Sequence, residues 1–239
     1  MVRPDYLGGG FVNLVASLVE ARGGAPRHPP LASLPAEELR PATNIVFLIV
    51  DGLGDNYLRA NGGGGHIARR RRGAISAVFP STTASAITTS FTGATPLEHG
   101  LTGWFTYFSA AACVGAPLPF KRRGERASLG VAPEQIFVER SLFDTLAVRS
   151  TVVSYRPIID SLYNVHHCGG AERLAYDDLD GFLEQTVNAV KAGAQRKFIY
   201  AYWPQFDALA HQYGVASTEV RAHFAQRSEE RRVGKECRL

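Results

Sequence analysis

Two aspartates follow two apolar runs in this 239-residue sequence. Asp51 comes directly after residues 45–50 (IVFLIV), and Asp207 lies four residues beyond Lys197–Trp203 (KFIYAYW). The first run has no polar alternation, which is typical of a strand buried on both faces of a parallel sheet. Since open α/β sheets bind ligands at the carboxyl ends of their strands, we expect both carboxylates at one edge of a sheet. Asp51 taken alone could equally cap a helix or close a turn.

Asp207 is followed four residues later by His211. On a helix these positions share one face, so the carboxylate and the imidazole could bind one metal ion. The pattern by itself is a weak indication, because such pairs are common on helix surfaces.

Three consecutive hydroxyl residues, Ser81, Thr82 and Thr83, precede a predicted helix that spans residues 81–92. Any of the three could act as a helix N-cap. Alternatively, one could be a nucleophile at a helix N-terminus, where unpaired N–H groups favour an anionic substrate. A threonine hydroxyl needs a base or a metal ion to become an effective nucleophile, and the carboxylates make metal assistance the natural choice.

These motifs occur together in an order that resembles the alkaline phosphatase superfamily, and its type I phosphodiesterase/nucleotide pyrophosphatase branch in particular. The resemblance rests on Asp51 in IVDG, Thr83 in FPSTTASAITTSFTG, the following TGATPLEHG, and the Asp207/His211 pair, and it extends over residues 44–213. It implies an α/β fold: a three-layer α/β/α sandwich with a largely parallel central sheet, incomplete at the C-terminus.

The resemblance also implies a mechanism and a set of site residues. Thr83 would be the catalytic nucleophile, and the reaction would be hydrolysis of phosphodiester or pyrophosphate bonds through a covalent threonine intermediate. Asp51 and Thr83 would bind one divalent metal ion, and Asp207 and His211 a second. Zinc suits these ligands, with manganese or iron as alternatives. The substrate would be a small phosphate ester or a nucleotide.

Other functions remain open at this point. A phosphomonoesterase, phosphonate hydrolase or sulfatase would belong to the same superfamily, although the sequence around Thr83 lacks the formylglycine motif of sulfatases. A protein of another class could keep the fold and bind a ligand or partner without catalysis.

The family's remaining metal ligands, an Asp-His pair and a later histidine, lie downstream of the Asp-x-x-x-His segment. After His211 this sequence contains only His223 and no Asp-His pair, so we expect the chain as given to be an inactive fragment. Residues 227–237 (RSEERRVGKEC) read as a translation of a common sequencing adapter rather than as a charged helix end. We therefore interpret residues 1–226 as part of one domain and residues 227–239 as foreign.

The composition is ordinary for a soluble globular protein, with 45% hydrophobic and 20% charged residues. The formal net charge is +4, three cysteines are too few and too scattered for a disulfide framework, and neither a secretion signal nor a membrane span is evident, which predicts a cytoplasmic protein. Arginines 69–72 are interpreted as part of a solvated loop, so no nucleic-acid or membrane partner is expected. His166, His167 and Cys168 are not expected to bind metal. The aromatic residues at 104–108 could line a substrate pocket, but packing in the core is the favoured interpretation. His99 is interpreted as fixing a turn.

Overall fold

The computed structural model describes residues 2–229, with side chains to residue 225. Residues 230–239, which hold most of the segment interpreted as foreign, lie outside the described residues. Strands and helices alternate along much of the chain, and the α/β fold with a parallel central sheet predicted from the sequence is confirmed. No helix in the described part is long and apolar enough to cross a bilayer.

The helices of the described chain are α1 Phe11–Ala21, α2 Ala36–Leu39, α3 Asp55–Asn61, α4 His66–Arg69, α5 Thr83–Thr92, α6 Pro96–His99, α7 Arg156–Ile159, α8 Leu162–Cys168, α9 Leu179–Lys191, α10 Gln205–Tyr213 and α11 Thr218–Glu229. The strands are β1 Asn44–Val50, β2 Thr106–Phe108, β3 Cys113–Ala116, β4 Lys121–Arg122, β5 Arg149–Tyr155, β6 Glu172–Tyr176 and β7 Lys197–Trp203.

The central sheet has the strand order β1-β7-β5-β6. Strands β5 and β6 are parallel, with Thr151 opposite Glu172 and Tyr155 opposite Tyr176. Strand β7 is buried along its whole length, as its continuous apolar pattern predicts. A second, antiparallel sheet has the order β2-β3-β4 and occupies residues for which the sequence pattern gave no assignment.

The chain divides into two compact units. Within the described residues, unit 1 comprises residues 2–47 and 75–200, and unit 2 comprises residues 48–74 and 201–229. Aromatic rings dominate the core of unit 1, where Phe91 stacks on Tyr200 at 4.7 Å between ring centroids. In unit 2, Phe206 and Phe224 pack edge-on against Tyr57, at 5.0 and 5.4 Å.

A buried lysine joins the end of α9 to the start of β7 within unit 1. Lys197 is 3% exposed, and its ammonium group donates hydrogen bonds to the carbonyls of Ala189, Val190 and Ala192 at 2.7–3.0 Å and of Gly193 at 3.3 Å. A cation in this position satisfies carbonyls that have no partner within the helix and complements the negative end of its dipole. The side chain therefore acts as a C-terminal cap for α9.

The structure differs from the expected local structure at three places. The sequence at residues 74–79 predicts a short strand, but the structure has only an isolated bridge between Ser76 and Gly10. In the segment 61–72, arginines 69–72 are exposed, as expected for a solvated loop, but the segment also contains α4, and Arg71 forms an ion pair with Asp55 of α3. Strand β1 is not buried on both faces: Phe47 is 7% exposed but Leu48 is 48% exposed, because β1 stands at one end of the sheet order.

Candidate active site

Asp51 lies where β1 ends, as the sequence predicts. Its backbone N–H donates to the carbonyl of Trp203 at 2.9 Å, which joins the end of β1 to the end of β7 within unit 2. The Tyr202 hydroxyl donates to Asp51 Oδ2 at 2.7 Å. A hydrogen bond from a neutral donor to a carboxylate is stronger than one between neutral groups, so it holds the Asp51 carboxylate in one orientation.

Asp207 packs against the backbone immediately after Asp51. A Cβ atom placed on Gly52 would lie 2.9 Å from Asp207 Oδ1 and 3.0 Å from Asp207 Cα, and Gly52 has a φ of 76°. Only glycine accepts both the left-handed backbone and the close approach. The structure thus brings the segments of Asp51 and Asp207 together, as expected for the ends of two strands.

His211 stands one turn after Asp207 on α10. Its Nε2 atom is 3.4 Å from Asp207 Oδ2, and its side chain is 82% exposed. An exposed pair of this kind contributes little to stability, so the contact itself does not explain why these residue types occur here. The two side chains do share one helix face, as the spacing predicts.

Thr83 is the first residue of α5, in unit 1. The N-cap is Thr82, whose Oγ1 accepts from the Ser85 N–H at 3.3 Å and lies 3.0 Å from Ser85 Oγ. Within the described residues the Thr83 hydroxyl makes no hydrogen bond. Thr82 therefore caps the helix, whereas Thr83 places its hydroxyl in the first turn, where unpaired backbone N–H groups favour an anion.

The rest of α5 is held by buried hydroxyl contacts inside unit 1. Thr88 lies 2.7 Å from the Tyr163 hydroxyl, and Ser90 lies 2.8 Å from the Tyr200 hydroxyl. The helix ends at Gly93, whose φ of 71° is a left-handed C-cap. These contacts fix the helix along its length and thereby fix the position of Thr83 within the unit.

The turn after α6 depends on His99, as predicted. His99 Nδ1 accepts from the Leu101 N–H at 3.1 Å, and its Nε2 lies 3.3 Å from Thr89 Oγ1. Burial lowers the pKa of His99 to about 4, so the ring is neutral near pH 7 and can accept this hydrogen bond.

The histidines of α8 serve the packing of unit 1. His167 Nδ1 is 2.8 Å from the Tyr163 carbonyl, and burial lowers the pKa of His167 to about 3. Burial also raises the pKa of Cys168 to about 12, which keeps the thiol protonated near pH 7.

The candidate metal ligands have donor atoms that suit a divalent ion, but they do not form a complete centre. Carboxylate oxygens and an imidazole nitrogen are suitable donors for zinc or manganese. However, the residues that the structure describes contain no group of three or more His, Cys, Asp or Glu side chains placed to hold a metal ion. The donor types fit, and a complete centre needs ligands beyond those brought together here.

Two side chains near this site were not predicted from the sequence. Nothing in the sequence indicated that Tyr202 contacts the site, since tyrosine is a common residue in buried strands. His223, noted only as the last histidine of the sequence, accepts a hydrogen bond from Trp203 Nε1 at 3.2 Å, and the two rings stack at 6.0 Å.

Comparison with known proteins gives one informative result. A family model described as type I phosphodiesterase / nucleotide pyrophosphatase matches residues 45–228, which include every candidate site residue named above. Comparison with curated proteins returns no match.

Proposed function

The chain belongs to the type I phosphodiesterase/nucleotide pyrophosphatase family, a branch of the alkaline phosphatase superfamily, and on this premise we propose that it forms the nucleophile-bearing part of a metal-dependent hydrolase of phosphodiester or pyrophosphate bonds. The observation that carries the proposal is the packing of Asp207 against Gly52, which brings two carboxylate-bearing segments together in unit 2. Grouped carboxylates repel one another unless a cation neutralises them.

Thr83 is proposed as the nucleophile. Its Oγ attacks phosphorus while its proton passes to solvent, the bond between phosphorus and the leaving oxygen breaks, and the leaving group departs in line with the electron pair of that bond and takes up a proton from solvent. A water molecule then attacks the phosphoryl- or nucleotidyl-threonine, the bond from phosphorus to Thr83 Oγ breaks, and a proton returns to Thr83. The first-turn N–H groups of α5 stabilise the negative charge on the phosphoryl oxygens in both steps.

Asp51, Asp207 and His211 are proposed as metal ligands, with Thr83 Oγ as a further ligand. Bound divalent ions, zinc by preference, would act as Lewis acids that make the threonine hydroxyl and then water nucleophilic near neutral pH. In this proposal Tyr202 orients the Asp51 carboxylate, and Gly52 lets Asp207 approach it.

The test compares two adjacent threonines. The chain is fused to the C-terminal half of another family member, which supplies further ligands, and hydrolysis of bis(p-nitrophenyl) phosphate is measured with zinc present. Thr83→Ala is expected to abolish turnover. Thr82→Ala is the matched control: it removes the N-cap, costs roughly 1 kcal/mol of stability and leaves most of the activity.

A direct readout is the covalent intermediate. Acid quenching followed by peptide mass spectrometry should find the phosphorylated or nucleotidylated residue at Thr83. If the modification falls on Thr82, or if Thr82→Ala is the inactive variant, then the proposed nucleophile is wrong.

A further inference from the structure

One face of the antiparallel sheet presents aromatic rings to solvent. Phe105 is 46% exposed and Tyr107 is 63% exposed, whereas Phe108 is 6% exposed. The expectation that residues 104–108 pack in the core therefore holds for Phe108 and is wrong for its neighbours, including Trp104 at 45%. Exposed aromatic rings close together on a small sheet indicate a binding surface more often than a structural need.

These rings adjoin a cation. Tyr107 lies opposite Val114 in the pairing of β2 with β3, and the Arg123 N–H donates to the Val114 carbonyl at 2.9 Å. The Arg123 guanidinium lies over the Phe105 ring, 4.9 Å from its centroid. Phe105, Tyr107, Val114 and Arg123 thus form one continuous patch within unit 1, which we call the cationic aromatic face.

The segment next to this face is strongly basic. The sequence KRRGER at residues 121–126 holds four cations and one carboxylate, Glu125. None of the four cations forms an ion pair with any side chain of the described chain. Unneutralised positive charge beside exposed rings has the chemistry to bind a partner that carries both negative charge and flat aromatic groups.

We propose that the cationic aromatic face binds single-stranded nucleic acid. Bases stack on Phe105 and Tyr107, and Arg123 with its basic neighbours contacts the phosphates. An anionic membrane is less well matched, since the only exposed aliphatic side chain of the face is Val114 and insertion into lipid requires a larger apolar area. The proposal departs from the expectation, drawn from the solvated loop at residues 69–72, that no nucleic acid is bound.

The face is attached to the helix that carries the proposed nucleophile. Ser85, in the first turn of α5, donates from Oγ to the carbonyl of Leu101 at 2.8 Å, and Phe105 follows four residues later. An extended segment of four residues spans at most about 14 Å, so a strand held on the face stays near the start of α5. Binding itself requires neither Thr83 nor metal, so its failure would leave the proposed hydrolysis untouched.

The test measures binding in excess EDTA, which prevents metal-dependent cleavage of the probe. A fluorescein-labelled oligothymidylate of roughly twelve nucleotides, within the usual site sizes for single-strand binding, is titrated with the intact chain, and fluorescence anisotropy is recorded. Tyr107→Ala and Phe105→Ala are each expected to weaken binding at least about fivefold, since each removes one stacking platform. Arg123→Ala should also reduce the salt dependence, by about 0.7 in the log–log slope for one lost phosphate contact.

Two control variants remove the same residue types, an exposed aromatic ring and an exposed arginine, at positions outside the cationic aromatic face. Tyr213→Ala removes an aromatic ring that is 48% exposed in unit 2, and Arg196→Ala removes an exposed arginine of unit 1; neither should change the affinity. Circular dichroism checks that each variant is folded. The proposal is overturned if Tyr107→Ala binds like the parent, if duplex DNA competes as well as the single strand, or if the chain binds phosphatidylserine vesicles and not the oligonucleotide.

Discussion

The hydroxyl of Tyr202 is the contact whose removal tests the arrangement around Asp51 most sharply. Tyr202→Phe keeps the aromatic ring and deletes the hydroxyl that donates a hydrogen bond of 2.7 Å to Asp51 Oδ2. Tyr202 is 7% exposed, so this hydrogen bond is largely shielded from water. Hydrogen bonds to charged groups contribute about 1.5–3 kcal/mol, and residues that orient a metal ligand typically change metal affinity by about 10–100-fold. In the fused protein, which has the further metal ligands, we therefore expect zinc to bind Tyr202→Phe at least about tenfold more weakly.

The matched control lies two residues away on the same strand. Tyr200→Phe also deletes one buried hydroxyl, which lies 2.8 Å from Ser90 Oγ in unit 1, so it should cost roughly 1 kcal/mol of stability without changing zinc affinity. Competition titration with a chromogenic chelator measures affinity, and urea unfolding measures stability. Equal zinc affinity in Tyr202→Phe and the parent, or an equal loss in both variants, would refute the positioning role of Tyr202.

Further predictions concern Gly52, His99 and the metal. Gly52→Ala should destabilise the fold by more than about 1 kcal/mol in urea unfolding and also weaken zinc binding, because its Cβ meets Asp207 and its φ is positive; Gly54→Ala, with open space around it, should do neither. Since folding lowers the pKa of His99 from 6.5 to about 4, the unfolded chain binds more protons at this residue between these values, and the contribution of His99 to stability should fall by up to about 3 kcal/mol as the pH drops from 6.5 to 4. Buried His167 adds a loss of its own over this range, so His99→Asn should reduce the total loss by about that amount and not abolish it, whereas exposed His66→Gln should leave it; an unchanged profile in His99→Asn would contradict the assignment. In the fused protein, prolonged dialysis against EDTA should abolish hydrolysis and zinc or manganese should restore it; full activity after dialysis would contradict metal dependence.

Long elements with a continuous apolar pattern were predicted from the sequence almost to the residue. The apolar residues of residues 11–21 (FVNLVASLVEA) recur at helical spacing and coincide with α1, Phe11–Ala21, and the unbroken apolar run KFIYAYW coincides with β7, Lys197–Trp203, because burial along these elements leaves a periodic or continuous apolar signal. The antiparallel sheet was missed, since β4 has two residues and β2 three, too few to show a period. The sequence pattern predicts a helix over residues 176–192, but α9 begins three residues later, at Leu179, because Tyr176 belongs to β6 and Asp178 caps the helix by accepting from the Gly181 N–H.

For the candidate site, the sequence predicted which residue types matter and where their strands end. It could not predict partners that come from distant parts of the chain. Tyr202 and Asp51 are 151 residues apart, and only the fold brings the hydroxyl to the carboxylate. The choice of Thr82 over Ser81 or Thr83 as N-cap likewise depends on backbone angles that three adjacent hydroxyls do not reveal. The metal-ligand roles of Asp51, Asp207 and His211 stay predictions.

The buried Lys197 makes the junction of α9 and β7 a chemical reporter. An amine-reactive reagent needs a deprotonated, accessible amine, and the residue Lys197 is 3% exposed, with four backbone carbonyls around its ammonium group. Surface lysines such as Lys121 should acylate quickly in the native protein, while Lys197 should react only in molecules in which the end of α9 has separated from β7. The rate of labelling at Lys197, measured by mass spectrometry, would therefore report how often the end of α9 separates from β7. Local fraying at the protein surface would not contribute to it.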